Sequence, residues 1–180
     1  MRLPAIHLSQ RTSMTPGADI RMSTGAALAS GARAGATGAL AVACLARLRD
    51  RALGRPPPYA SPALVGRLAA SAGWRPSART ARAAGELLRF AYGTTLGLLF
   101  AALGGKRAAR TRDAGWVLGA AVLLGEHLAF PRLGLTPPPS RWTRGERSAL
   151  TLQTLLFGHT VAWVYRREAR VRLTMDAPAS

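Results

Sequence analysis

Cysteine is nearly absent: Cys44 stands alone inside an apolar run, so no internal disulfide can form. With three histidines besides, no metal site and no cofactor is expected. Acidic residues are also scarce, 8 against 25 basic ones, and Lys106 is the single lysine. Aromatics make up 6% of the chain. The arginines are spread through every connecting segment and are not interleaved with stacking rings, so the charge of +17 does not point to nucleic acid. Catalytic signatures are missing as well. There is no G-x-S-x-G, P-loop, G-x-G-x-x-G or H-E-x-x-H, and no nucleophile stands beside an evident base. No enzyme and no catalytic residue is expected.

What the chain does have is apolar residues in blocks, 48% of the total, separated by arginine-rich stretches. That distribution suits a membrane protein, whose charges sit between its spans. Four blocks stand out, at about residues 26–46, 83–103, 114–131 and 148–165. Each approaches the ~20 residues that cross ~30 Å of hydrocarbon. They are apolar all round for most of their length, where a soluble bundle would carry a polar stripe. The predicted fold is therefore all-α, a bundle of four transmembrane helices over residues 24–167. A disordered tail is expected over residues 1–23 and a polar tail over residues 168–180. No secretory signal is expected, since the first apolar run lacks a clean cleavage site.

The connections differ. The first is long and holds Pro56-Pro57-Pro58, then a stretch from Ser61 to Gly73 that fits an interfacial helix. The second is tight, Gly104 to Asp113, which predicts an antiparallel hairpin of helices two and three with Asp113 as a cap. Lys106-Arg107-x-x-Arg110-x-Arg112 and Arg166-Arg167-x-x-Arg170-x-Arg172 are dense basic clusters at span ends. By the positive-inside rule they place both termini in the cytoplasm. Trp116, Trp163 and Tyr165 read as an aromatic belt at one surface, with Trp142 at the other. Arg33, inside the first span, is expected to snorkel to the headgroups.

Small residues supply a packing code. Gly31 and Gly35, Gly93 and Gly97, and Gly115 and Gly119 form G-x-x-x-G pairs in the first three spans, and Gly158 pairs with Ala162 in the fourth. Such pairs let backbones approach closely in lipid, where dispersion replaces the hydrophobic effect as the drive for association.

Ionisable residues inside the spans are the candidate site. Glu86 precedes Gly93 by seven residues and Gly97 by eleven, and Glu126 follows Gly119 and Gly115 by the same separations. Seven and eleven residues return to within roughly 20° of one helix face. Each glutamate thus shares the face of its own glycine pair. The spacing suggests an intramembrane cluster of Glu86, Arg89, Glu126 and His127 between helices two and three, with His159 as an additional member. The favoured alternative is an ordinary i,i+3 pair of Glu86 and Arg89 at the interface, with Glu126 and Arg132 snorkelling. Arg89 or His127 should lie within hydrogen-bond reach of a carboxylate, since unpaired charge in hydrocarbon is costly.

The segment His127-Leu-Ala-Phe-Pro131-Arg-Leu-Gly134-Leu135-Thr136-Pro137-Pro138, followed by Phe157-Gly158-His159 and Trp163, resembles the YagU-like family of small bacterial inner-membrane proteins of unknown function. The resemblance implies a multi-pass location in the bacterial inner membrane and carries no activity. In physical terms Pro131 ends a helix and Gly134 permits the turn that follows. The expected role is that of a non-catalytic scaffold or accessory protein. Its partners would be the lipid bilayer and another membrane protein or a second copy of the chain. The alternative is a small transporter, channel or proton-responsive protein using the Glu/His cluster.

Overall fold

A computed structural model describes residues 23–54 and 57–175, and the expectations for residues 1–22 and 176–180 fall outside it. Its described residues form five α-helices and one short 3-10 turn: α1 (Thr24–Leu53), α2 (Ser61–Ser71), α3 (Ala78–Arg110), α4 (Ala114–Arg132), the turn at Pro139–Arg141, and α5 (Arg144–Met175). The four predicted spans correspond to α1, α3, α4 and α5. Their helices extend beyond the apolar blocks, and α5 carries the chain through most of the segment read as a polar tail. The interfacial helix expected after the proline run is α2, entered through Pro62.

Local chemistry fixes the ends. Ser23 caps α1 by accepting from the Ala26 amide at 3.2 Å, and Gly54 closes it in the left-handed region at φ 69°. Ser77 caps α3 in the same way, accepting from the Thr80 amide at 3.1 Å. The cap expected of Asp113 is different: the residue holds the N-cap position of α4, but its side chain makes no capping bond. Thr143 and Glu146 instead form a reciprocal box at the start of α5, with Glu146 accepting from the Thr143 amide at 2.8 Å and Thr143 accepting from the Glu146 amide at 3.2 Å. α3 kinks at Gly105, whose φ of 37° and ψ of −119° a side chain would resist, so most of the connection expected from Gly104 to Asp113 is the kinked end of α3. Pro131 sits in the last turn of α4, one residue before the end.

The glycine pairs operate as packing surfaces, with partners of their own. Gly31 and Gly35 of α1 meet Gly97 and Gly93 of α3, so close that a Cβ on Gly35 or Gly97 would overlap a carbonyl oxygen across the interface. Gly115 and Gly119 of α4 meet Gly158 and Thr154 of α5. Both pairs are antiparallel by this register. The dominant contacts are thus α1 on α3, α1 on α5 and α4 on α5, with α2 laid against α3. α3 and α4, expected to form a hairpin, are joined in sequence but are not among the closely packed pairs. Their glycine faces turn away from each other, toward α1 and α5.

The core lies between α1 and α5, with Ala34, Val42, Phe157, Val161 and Tyr165 at its centre. Tyr165 is therefore a core residue rather than part of a surface belt, whereas Trp116 and Trp163 are both 55% exposed. Among the described residues three helices are long and apolar enough to cross a membrane: α1, α3 and α4. In α3 only 17% of the most apolar window is buried within the chain, and in α4 only 22%. Leu87, Leu103, Val117 and Leu124 all face outward. Soluble monomers do not present such continuous apolar faces to water. The fourth predicted span, α5, falls outside the apolar set, because Gln153, Thr154 and His159 lower its hydropathy.

Candidate functional site

Because α3 and α4 diverge, a chamber of about 190 Å³ opens between them. Its walls come from every helix: Val42 of α1, Leu64 and Leu68 of α2, Tyr92 and Leu96 of α3, Val122 and Phe130 of α4, and Phe157 of α5. The wall is mostly apolar. Glu126 and Arg89 supply its charged groups, and Gln153 and Thr154 its neutral polar ones.

Glu126 is the notable side chain. It is 8% exposed and lines the chamber, and among the described residues no hydrogen bond or ion pair forms at its carboxyl, whose oxygens keep some access to open volume. Arg89 lines the same chamber but is committed elsewhere: its Nη1 donates to Glu86 Oε2 at 2.7 Å. The Arg89 side chain is 11% exposed and that of Glu86 47% exposed, so this pair runs from the chamber wall to the surface. Arg89 is therefore already neutralised, and Glu126 is not. The expected bond from Arg89 to a carboxylate is thus present, but on Glu86; among the described residues neither Arg89 nor His127 bonds to Glu126. His127 donates from Nδ1 to the Leu123 carbonyl at 3.0 Å, and its ring lies 5.4 Å from that of Trp142.

His159 stands apart. It donates from Nδ1 to the Leu155 carbonyl at 2.9 Å and meets the Trp116 ring edge-on at 4.5 Å. Its neighbour across the interface is Gly115, eleven residues from Glu126 and so about 16 Å along α4. Arg33 does not end free in the headgroups. Its Nε donates to Glu168 Oε1 at 2.9 Å, tying the start of α1 to the end of α5.

Several residues of the chamber carried no motif. Tyr92 is a wall residue whose ring reaches Phe130 at 6.4 Å, bridging the gap between α3 and α4. Tyr59, in the first loop, closes one end. Its hydroxyl donates to the Glu146 carbonyl at 2.7 Å and its ring packs 5.2 Å from Trp142. Trp142 is thus buried in a plug made of the first and third loops, rather than set in a belt. Arg49, 5.6 Å over the Tyr59 ring, donates to Gln153 at 2.6 Å and to Asp50 at 2.7 Å. Burial pushes the Tyr59 hydroxyl up to about 12. The Thr143-x-x-Glu146 box was legible in sequence and would have marked the start of α5, beside this plug.

No family model, no curated protein and no solved structure matches this chain.

Proposed function

We propose that the chain is a four-span membrane protein, without catalysis of its own, that binds lipophilic cations in the chamber between α3 and α4. The observation that carries this reading is Glu126: a buried carboxyl with no partner, in an apolar chamber whose other charge is already paired. The complement to that wall is a molecule with an apolar body and one positive charge. The rings of Tyr59, Tyr92, Phe130 and Phe157 line the same space and favour a cation over their faces. A carboxylate that binds a cation in low dielectric releases it on taking up a proton, which is the simplest coupling for a small carrier.

The bacterial inner membrane is the location this reading carries, with both termini cytoplasmic, as the YagU-like resemblance and the basic clusters at Lys106–Arg112 and Arg166–Arg172 imply. Support for α5 as a fourth crossing comes from its register. Thr154 and Gly158 lie against Gly119 and Gly115, so α5 occupies the same slab as α4. An accessory role is the second reading, with a partner helix or a second copy on the outward faces of α3 and α4.

Titration of the detergent-purified protein with tetraphenylphosphonium tests the proposal. Saturable binding that weakens as pH falls, and that drops at least tenfold in Glu126→Gln, is expected. Absence of binding, or equal binding by the variant, rejects the cation reading and leaves the accessory role.

A further inference from the structure

At the other end of the bundle, α3, the turn into α4, and the last part of α5 enclose a cleft of about 650 Å³. Arg110, Arg112, Arg166, Arg167, Arg170 and Trp163 line it. Arg166 is structural: its Nη1 donates to the Thr111 carbonyl at 2.9 Å and so holds the turn against α5. Arg167 lies 5.6 Å from the centre of the Trp163 ring. Arg110, Arg112, Arg167 and Arg170 are exposed, and no acidic side chain pairs with any of them among the described residues. Of the two acids adjacent in sequence, Glu168 takes Arg33, and Asp113, next to Arg112, forms no ion pair with these arginines among the described residues. Four guanidinium groups without an acidic partner among the described residues therefore converge from two segments that are far apart in the chain.

The place of the cleft decides what fills it. Lying where α3 ends and α4 begins, it falls at the headgroup level of any membrane those helices cross. Trp163, 55% exposed, is an interfacial anchor at that level. The same turn also borders an apolar groove, lined at this end by Thr111 and Asp113 and between α3 and α4 by Leu103, Phe100 and Leu99. A phosphate beside an acyl chain matches this sequence of surfaces, and guanidinium groups match phosphate oxygens by paired hydrogen bonds. We propose that the arginine cleft binds the headgroup phosphate of an anionic membrane phospholipid, with a chain of that lipid in the α3–α4 groove.

The protein in detergent, supplied with phosphatidylglycerol or phosphatidylcholine, provides the test. Retained lipid is read by native mass spectrometry and affinity by titration. Phosphatidylglycerol should bind at least tenfold more tightly than phosphatidylcholine, and inorganic phosphate should not compete at equal concentration. An arginine at an anionic surface is worth about fivefold in affinity, so Arg112→Gln with Arg167→Gln should weaken phosphatidylglycerol about thirtyfold. Arg144→Gln with Arg147→Gln, at the opposite end, should leave it unchanged. Equal retention of the two lipids, or unaltered binding by the Arg112/Arg167 variant, overturns the proposal. Competition by inorganic phosphate replaces the lipid with a soluble anion and overturns it also. Should that variant not fold, the wild type decides, since binding through four arginines must fall steeply between low and high salt, and salt-independent binding rejects it.

Discussion

Gly35 of α1 and Gly93 of α3 meet backbone against backbone, and a Cβ on Gly35 would overlap the Gly93 carbonyl oxygen. The same holds for Gly97 against the Gly31 carbonyl. Gly35→Ala or Gly97→Ala must push two rigid helices apart, and overpacking of this kind costs about 1–3 kcal/mol. Gly66, in α2, offers the control, since a Cβ there meets nothing within 4 Å. Gly66→Ala should be neutral or stabilise by about 0.4–1 kcal/mol through the unfolded chain. Thermal unfolding in detergent separates them: equal midpoints for Gly35→Ala and Gly66→Ala would reject the close α1–α3 crossing.

Glu126 should be a burden on the empty protein. A buried polar group without a hydrogen bond costs about 1–3 kcal/mol. Glu126→Leu should therefore raise the unfolding midpoint while removing tetraphenylphosphonium binding. A residue that is held at the expense of stability is the mark of a site rather than of packing. Loss of stability in Glu126→Leu would instead give the carboxyl a structural role.

Tyr59 joins the first loop to the start of α5. Tyr59→Phe keeps the ring against Trp142 and loses the bond to the Glu146 carbonyl, at a cost of about 0.5–1.5 kcal/mol. The sign of its pH dependence follows from burial. An unfolded tyrosine loses its proton near about 10, whereas the folded one holds it to about 12. The folded state thus binds the proton more tightly, and its contribution is complete below pH 10 and lost as pH rises through 12. Alkaline unfolding followed by circular dichroism should show this decline in the wild type and a shallower one in Tyr59→Phe.

Helix existence and the glycine pairs were legible in the sequence because both are local patterns. Their partners were not. The sequence places Glu86 and Glu126 on the faces of their own glycine pairs, and adjacency in the chain suggested that those faces meet. Close approach of Gly31 and Gly35 to α3, and of Gly158 to α4, claims both faces for α1 and α5 instead. The gap that this leaves between α3 and α4 is the chamber, so the site arises from a pairing that no spacing encodes. Tyr59 and Trp142 were obscure for the same reason: two loops some eighty residues apart had to meet before either ring acquired a role.

The number of crossings is the remaining prediction, and α5 decides it. By hydropathy alone, among the described residues only α1, α3 and α4 are apolar enough to cross. Yet α5 lies along both α1 and α4, and its less apolar residues are at least half sheltered: Thr154 is 3% exposed, Gly158 is buried against Gly115 and Gly119, and Gln153 and His159 are half-buried. The residues it turns outward, Leu152 and Trp163, suit lipid. A helix shielded on several sides by its neighbours needs less hydropathy to stay in a membrane than one facing lipid all round, because its polar groups meet protein rather than hydrocarbon. The chain should therefore resist carbonate extraction. Reporters fused after Arg110 and after Arg172 should both read as cytoplasmic, and one near Pro57 as the opposite side. Opposite signals from the Arg110 and Arg172 fusions would mean three crossings, and would require α5 to leave the α4 face that its glycine register gives it. A reversed but matching pair would keep four crossings and invert the orientation.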